Sequence, residues 1–342
     1  MTRTTSAVTG AFGFSGRYIA ARLLRSGQRV VTLTNSPKRA NPFAGEVEAR
    51  PLNFASPDSL ASSLDGVETL YNTYWVRFNR KNPALNQPDQ EEALRNSEVL
   101  FRAAKLAGVR RIAHISVAHA DAASPLPYYR NKGLAEQALA ASGVNHAIFR
   151  PAMLFGPGSV LLNNLAWTLR RFPLCFMFGD GAYRLRPIFV DDLAALMCGD
   201  CAAGAPAASV AAAASAVSGS QIVSVTPVPA SGSGLIHALG PEEYSFRDLM
   251  RMLGEVIGCR RPLIGMPVTL AWPGVWLLGK VLGESLVTRD EISGLMNGLL
   301  TVTGAPASGG TKLSEWARAN AASLGRVFIS ENSRRRDRVS AY

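Results

Sequence analysis

Short apolar runs alternate with longer segments in which apolar residues recur every three to four positions. That alternation marks strands buried between covering helices. The first strand spans residues 6–9 and stops at Gly10, Gly13 and Gly16; the helix that follows carries Ile19, Leu23 and Leu24 on its apolar face. A second strand is predicted at 29–34, and third and fourth strands at 47–53 and 67–72, with a Leu- and Ala-rich helix between them. From about Gln90 a helix places Ala93, Leu94, Leu100, Ala103, Ala104 and Ala107 on its inner side, and Gly108 is its expected C-cap. The fifth strand is 111–116. After it, the segment 125–132 opens a helix running from Gly133 to Ala141. Strand and helix alternating in this way predict an α/β, doubly wound parallel sheet of Rossmann type.

Past residue 200 the composition shifts to Ala, Ser, Gly and Pro, as in 211–216, and little there can build a specific core. The expected organisation is therefore a nucleotide-binding domain over 1–200, an insertion or linker over 201–234, in which 221–225 adds a strand, and a smaller, mostly helical C-terminal substrate lobe with a basic tail over 235–342. The lobe begins at 235–239 and continues with a helix at 245–257. Residues 265–278 are strongly apolar, with Trp272 and Trp276, and are interrupted by Pro267 and Pro273. These fourteen residues fall short of the roughly 20 that span a bilayer, and the prolines break a helix. A buried or lid-forming segment is expected, with membrane-surface contact the lesser reading, helped by the basic tail at 333–338. Residues 312–324 are amphipathic and should pack through Leu313, Trp316, Ala317 and Leu324.

With 342 residues, 47% of them hydrophobic, the chain has ample core, which excludes a disordered or fibrous protein. Its formal charge of +11 favours anionic partners: a phosphorylated cofactor, an acidic substrate or an anionic membrane surface. The arginines are scattered, so no nucleic-acid stripe is indicated. Cys198 and Cys201 form a CxxC without a second pair or a nearby histidine, so no metal site is expected; Cys175 and Cys259 stand alone. The N-terminus enters the first strand directly, leaving no room for a leader, and a cytoplasmic location is expected.

The chemistry begins at the Gly10-x-x-Gly13-x-x-Gly16 turn. Such a turn lets backbone approach a pyrophosphate while the following helix offers N–H groups and a partial positive charge; a merely tight turn is the competing reading. At the end of the second strand, where an acid would hold the ribose 2′-hydroxyl of NAD, the chain reads Thr34-Asn35-Ser36-Pro37-Lys38-Arg39. Ser36, Lys38 and Arg39 suit a 2′-phosphate, so NADP(H) is preferred over NAD(H), against the alternative of a solvated basic loop. Asn53, at a strand end, is placed to face adenine, and the aromatic, cationic loop 73–78 either lines the pocket or covers the sheet edge. Tyr128 and Lys132, four apart, share a helix face, where the lysine charge favours the phenolate. Arg184 and Arg186 alternate on a strand and either present one face to an anionic substrate or are plain surface charge. His114 reads as a packed core imidazole, His119 and Asp121 as loop or pocket residues, and Tyr129 as pointing away from the pair.

Four signals in order, Thr9-Gly10-x-x-Gly13-x-x-Gly16, a serine after the fifth strand, Tyr128-x-x-x-Lys132 and Arg150-Pro151-x-x-x-Phe155-Gly156-Pro157-Gly158, resemble the short-chain dehydrogenase/reductase superfamily in its extended or atypical branch. The later segments 186–194 and 240–246 are similar to bacterial NAD(P)-binding epimerase/dehydratase-like proteins. The resemblance implies Tyr128 as general acid or base, Lys132 as ribose ligand and modulator of the phenol, Ser116 as partner of the reacting oxygen and Asn96 as a supporting residue. It also implies cofactor contacts at Thr9, Phe12, Phe14, Asn35, Arg150 and Pro151, and a junction organised by Asp191 and Asp192. One departure is visible: a single Ser116 is followed by Val117 where the family often has consecutive Ser/Thr. The implied activity is an NADP(H)-dependent oxidoreductase acting on a carbonyl or alcohol of a small, anionic substrate. The alternatives are a nucleotide-sugar-type epimerase and a non-catalytic NADP(H)-binding structural or regulatory subunit; dehydratase chemistry is disfavoured because 117–121 lacks that branch's acidic pair.

Overall fold

The computed structural model describes residues 3–77, 88–201, 234–283 and 286–337. In the first half these form β1 (Thr5–Thr9), α1 (Gly16–Arg25), β2 (Arg29–Thr34), β3 (Val47–Pro51), α2 (Pro57–Ser63), β4 (Thr69–Asn72), α3 (Gln90–Leu106), β5 (Arg111–Ile115), α4 (Pro127–Ala141) and β6 (Asn145–Pro151). Then come β7 (Met153–Phe155), α5 (Val160–Arg171), β8 (Cys175–Phe178), β9 (Arg184–Leu185), β10 (Pro187–Phe189), α6 (Val190–Cys201) and β11 (Gly234–Ala238). The chain ends with β12 (Tyr244–Ser245), α7 (Phe246–Val256), β13 (Leu263–Met266), α8 (Val268–Leu282), α9 (Arg289–Met296), α10 (Leu313–Ala319) and α11 (Glu331–Arg336).

Seven strands pair in the order β3-β2-β1-β4-β5-β6-β11, every pair parallel. Both faces are covered, as a parallel sheet requires. Leu60, Leu64, Leu100, Phe101 and Leu139 seal one face from α2, α3 and α4, while Ile19, Leu23, Leu193 and Met197 seal the other from α1 and α6. Strand order reverses between β1 and β4, and at such a switch point the crevice beyond the strand ends takes the ligand. This is the doubly wound Rossmann architecture expected from the alternation.

Two segments differ in detail from expectation. The strand at 234–238 returns to the main sheet beside β6 before the chain enters the lobe. The apolar stretch around Trp272 is helical after all: Pro267 precedes the helix as its N-cap, and Pro273 sits inside on the exposed side, where the carbonyl it cannot serve meets water. Residues 202–233, with the strand expected at 221–225, lie outside the described residues.

The core of the C-terminal part does not stop at the expected boundary of residue 200: Leu162, Ala166 and Leu169 of α5 meet Leu249 and Leu253 of α7 and Leu313 and Ala317 of α10. The acid pair at the start of α6 joins the parts. Asp191 takes a two-pronged pair from Arg22 of α1 at 2.8 Å, and Asp192 accepts from the Thr311 backbone N–H at 2.7 Å and hydroxyl at 3.0 Å.

Candidate functional site

The glycine turn is built by backbone constraints. Gly10 adopts φ +70°, a left-handed conformation that costs other residues strain, and donates to the Leu33 carbonyl at 3.0 Å. A Cβ on Gly16 would lie 2.2 Å from the Gly10 carbonyl oxygen, so only glycine lets α1 begin this close to the turn. The first turn of α1 holds no acid, and Ser15 does not cap it with its side chain. The N-terminal end of α1 is therefore open to an anion. Phe12 is packed into the core, with its ring 6.4 Å from Phe43, so only its backbone belongs to the turn; Phe14 is half-buried.

Thr9 is buried, and its side chain braces a loop. The hydroxyl accepts from the backbone N–H of Thr73 at 2.7 Å and of Tyr74 at 3.0 Å, and donates to Asn72 Oδ1 at 3.1 Å. Because Asn72 Oδ1 accepts there and from Tyr74 N–H, the Asn72 amide N–H donates to His114 Nδ1 at 3.0 Å, which puts the imidazole proton on Nε2. Burial first, then Lys132 and His146, hold His114 well below the ordinary imidazole range, so it is neutral. The expected core histidine thus closes a polar chain under the site. Asn96 does not reach toward α4: its amide donates to the Tyr74 hydroxyl at 2.9 Å, holding the same loop from α3.

At the far end of β2, Asn35 and Lys38 are exposed, and Ser36 is half-buried with its N–H on Thr34 Oγ1 at 3.0 Å. Arg39 turns instead to the C-terminal segment, where it donates to the carbonyls of Arg334 at 3.3 Å and Asp337 at 2.8 Å. Asn53 is exposed, and its side chain accepts from Ala55 N–H at 3.1 Å in a local turn.

Helix α4 starts at Pro127, which presets the first-turn φ, so Tyr128 and Lys132 stand one turn apart as the spacing predicts. A Cβ on Gly133 would lie 2.3 Å from Ala122 N, which shows how closely α4 packs on the loop after β5. Lys132 is buried. Its Nζ donates to the Ile115 carbonyl at 2.9 Å and lies 4.3 Å from the centre of the Trp75 ring. Burial lowers its pKa to about 7, against a smaller opposing pull from Glu136. Ser116, the next residue after that carbonyl, is buried with its Oγ unpartnered, and the Trp75 Nε1 is likewise buried without a partner. Such orphaned donors cost stability unless a ligand meets them.

Tyr128 is half-buried among Tyr129, Leu126 and Leu299. Burial, then the neighbouring Tyr129 and Glu291, push its pKa up, with Arg77 opposing. The phenol is consequently protonated at neutral pH. Tyr129 points toward α9, its hydroxyl against Gly294.

Other sequence candidates have structural partners. Arg150 makes a two-pronged pair with Glu136 of α4, Nε to Oε1 at 2.9 Å, and the Pro151 carbonyl accepts from Ala118 N–H at 2.9 Å; both thereby hold the β5 loop to β6 and α4. Arg184 pairs with Glu243 at 2.6 Å, and Arg186 donates to the carbonyls of Gly240 and Ala305, so the two do not form a shared anion face. His119 meets the Thr301 carbonyl at 2.6 Å, and Asp121 caps a local turn through Ala123 N–H. Among the described residues no group of three or more His, Cys, Asp or Glu side chains could hold a metal ion.

Residues 10–159 match the protein family described as NAD(P)H-binding. They form an NAD(P)H-binding domain. The solved structures on which the chain superposes share its Rossmann-type fold. Over 297 residues the chain is 26% identical to a ceramide reductase of Caulobacter vibrioides, covering 86% of this chain and 82% of that protein. It is 24% identical over 194 residues to a mitochondrial NADH dehydrogenase [ubiquinone] 1 alpha subcomplex subunit 9 of Arabidopsis thaliana, covering 55% of this chain and only 48% of that protein. Among solved structures, an NADPH-dependent quinone oxidoreductase of Escherichia coli complexed with NADPH superposes with a TM-score of 0.65 at 19% identity, covering 92% of this chain and 99% of that one; at this identity the likeness is one of fold. The family match points to a nicotinamide dinucleotide as the ligand of residues 10–159. Its turn, the open N-terminal end of α1 and the orphaned donors at Ser116 and Trp75 fit such a cofactor.

Proposed function

We propose that the chain is an NADP(H)-dependent oxidoreductase that acts on a carbonyl or alcohol of a small substrate, with Tyr128 as the general acid or base. The observation that carries this reading is the convergence of α4 and the end of β5: a protonated Tyr128 phenol, Lys132 one turn on against the Ile115 carbonyl, and the unpartnered Ser116 hydroxyl beside it. When bound, the cofactor supplies the hydride. Ser116 donates to the substrate oxygen and orients it, and the Tyr128 phenol, already protonated, gives that oxygen its proton, which favours the reductive direction at neutral pH. Lys132 turns from Ile115 toward the ribose and, in its charged form, eases the loss of the phenolic proton. The backbone of 10–16 and the start of α1 hold the pyrophosphate, while Ser36 and Lys38 meet a 2′-phosphate; Arg39, already on Arg334 and Asp337, contributes less. A cytoplasmic, small-molecule enzyme remains the reading; no helix among the described residues is long and apolar enough to cross a membrane.

Titration with NADPH and NADH in parallel tests the cofactor assignment: NADPH is expected to bind at least tenfold tighter, and Lys38→Ala to narrow that gap. Oxidation of bound NADPH by a panel of aldehydes, ketones and quinones tests the activity. Tyr128→Phe is expected to slow turnover by about a hundredfold or more with NADPH affinity nearly unchanged; retained turnover removes Tyr128 from the mechanism.

A second reading is favoured by the lid of Trp75 on Lys132 and by the relative named as a subunit of an NADH dehydrogenase. In it the chain holds NADP(H) for structure or sensing. Tight binding with no oxidation by any panel member, and no epimerisation of nucleotide sugars, would select it.

A further inference from the structure

Helix α8 is turned inside out relative to the other covering helices. Ala271 and Gly279 are buried, whereas Leu270, Trp276, Leu277 and Val281 are 54% to 76% exposed. Leu270, Leu277 and Val281 follow one another at helical spacing, with Pro273 and Gly274 between them, so the outward stripe is apolar along its length. The helix contains one charged residue, Lys280, and no acid. Lys280 lies over the Trp276 ring, and Arg289, at the start of α9, lies over the Trp272 ring, each 5.4 Å from the ring centre. Both cations are exposed.

We propose that the outer face of α8 docks in the plane of an anionic lipid bilayer. Fifteen residues make a helix about 22 Å long, too short to cross the roughly 30 Å hydrocarbon core but suited to lie at its boundary. Indole rings with a cation stacked on them match that boundary, where the ring sits among the acyl ends and the cation meets a phosphate. The net charge of +11 supplies the long-range attraction to an anionic surface. A second copy of the chain fits less well, because a stripe about 22 Å long and about 10 Å wide offers roughly a quarter of the ~800 Å² per partner that a stable interface buries.

The test is sedimentation of the full chain with vesicles of phosphatidylglycerol and phosphatidylcholine, against vesicles of phosphatidylcholine alone. Binding to the anionic vesicles is expected to be at least tenfold stronger and to weaken with salt. The double variant Leu277→Ser, Val281→Ser keeps the charge and removes the apolar stripe; it is expected to lose at least tenfold in binding with an unchanged melting curve. In the unaltered chain, tryptophan fluorescence should be quenched by brominated acyl chains in the anionic vesicles, a readout that needs no variant. Three results would each overturn the proposal: no sedimentation with either vesicle, equal binding by the double variant, or an unaltered chain that is dimeric by light scattering, ignores vesicles and becomes monomeric in the double variant.

Discussion

Lys132 shows how one buried side chain carries both a structural cost and a chemical use. In the unfolded chain it titrates near 10.4, and in the folded chain near 7, because burial disfavours its charge. The unfolded state therefore holds more protons between about pH 7 and pH 10, and stability should rise with pH across that window, by at most about 1.4 kcal/mol per unit. Below pH 7 the full cost of the buried ammonium is present. Lys132→Met removes the titration. Thermal melts of the two proteins from pH 6 to pH 9 should show the difference nearly constant up to pH 7 and then moving in favour of the unaltered chain. A difference independent of pH would mean that the lysine titrates normally. The same shift lets Lys132 gain or lose its charge near neutrality, whereas the Tyr128 phenol stays protonated there.

The loop after β4 depends on β1 more than on its own sequence. Thr9 receives two backbone N–H groups from it and Asn96 holds its Tyr74, so the position of Trp75 over Lys132 is set by strands and helix together. Thr9→Val keeps the shape and leaves the Thr73 N–H without its acceptor, while Tyr74 N–H keeps Asn72 Oδ1, a loss of about 1–3 kcal/mol. Hydrogen exchange should accelerate at residues 73–77 with the sheet still protected; uniform acceleration would mean that Thr9 serves the whole domain. Local patterning made the strands, the glycine turn and the start of α4 legible in the sequence, because each depends on neighbours within a few residues. Asn96 and Arg39 were legible as polar residues near a site but not in their partners, since Arg39 finds carbonyls at 334 and 337 that only tertiary structure brings near. Trp75 and Asn72 gave no signal beyond lying in or next to an aromatic loop. Helix α8 was not legible because its prolines read as breakers, whereas Pro267 only precedes it and the carbonyl that Pro273 leaves free meets water.

Between domain and lobe the deciding group is Arg77. Its guanidinium donates to Glu291 of α9 at 2.6 Å, to Glu331 of α11 at 3.0 Å and to the Leu286 carbonyl at 3.2 Å, so one side chain of the loop after β4 gathers three parts of the C-terminal chain. Glu291 also closes the capping box of α9 with Thr288, and it faces Tyr128 closely enough to raise the phenol. Arg77→Met leaves two partly buried carboxylates without their counter-charge. Since all three side chains retain some exposure, the cost should fall at or below the low end of the 3–5 kcal/mol typical of a broken buried pair, about 2–3 kcal/mol. Two consequences separate this clamp from a merely local pair. Calorimetry should show the lobe unfolding ahead of the nucleotide-binding domain, because the sheet and its two helix layers do not use Arg77. NADPH affinity should fall by less than turnover, since the proposed pyrophosphate and 2′-phosphate contacts lie on the turn after β1, on α1 and just after β2, whereas Leu299 packs on Tyr128. If the variant instead melts in one cooperative step and loses affinity and turnover equally, domain and lobe are one folding unit and Arg77 only adds to its stability.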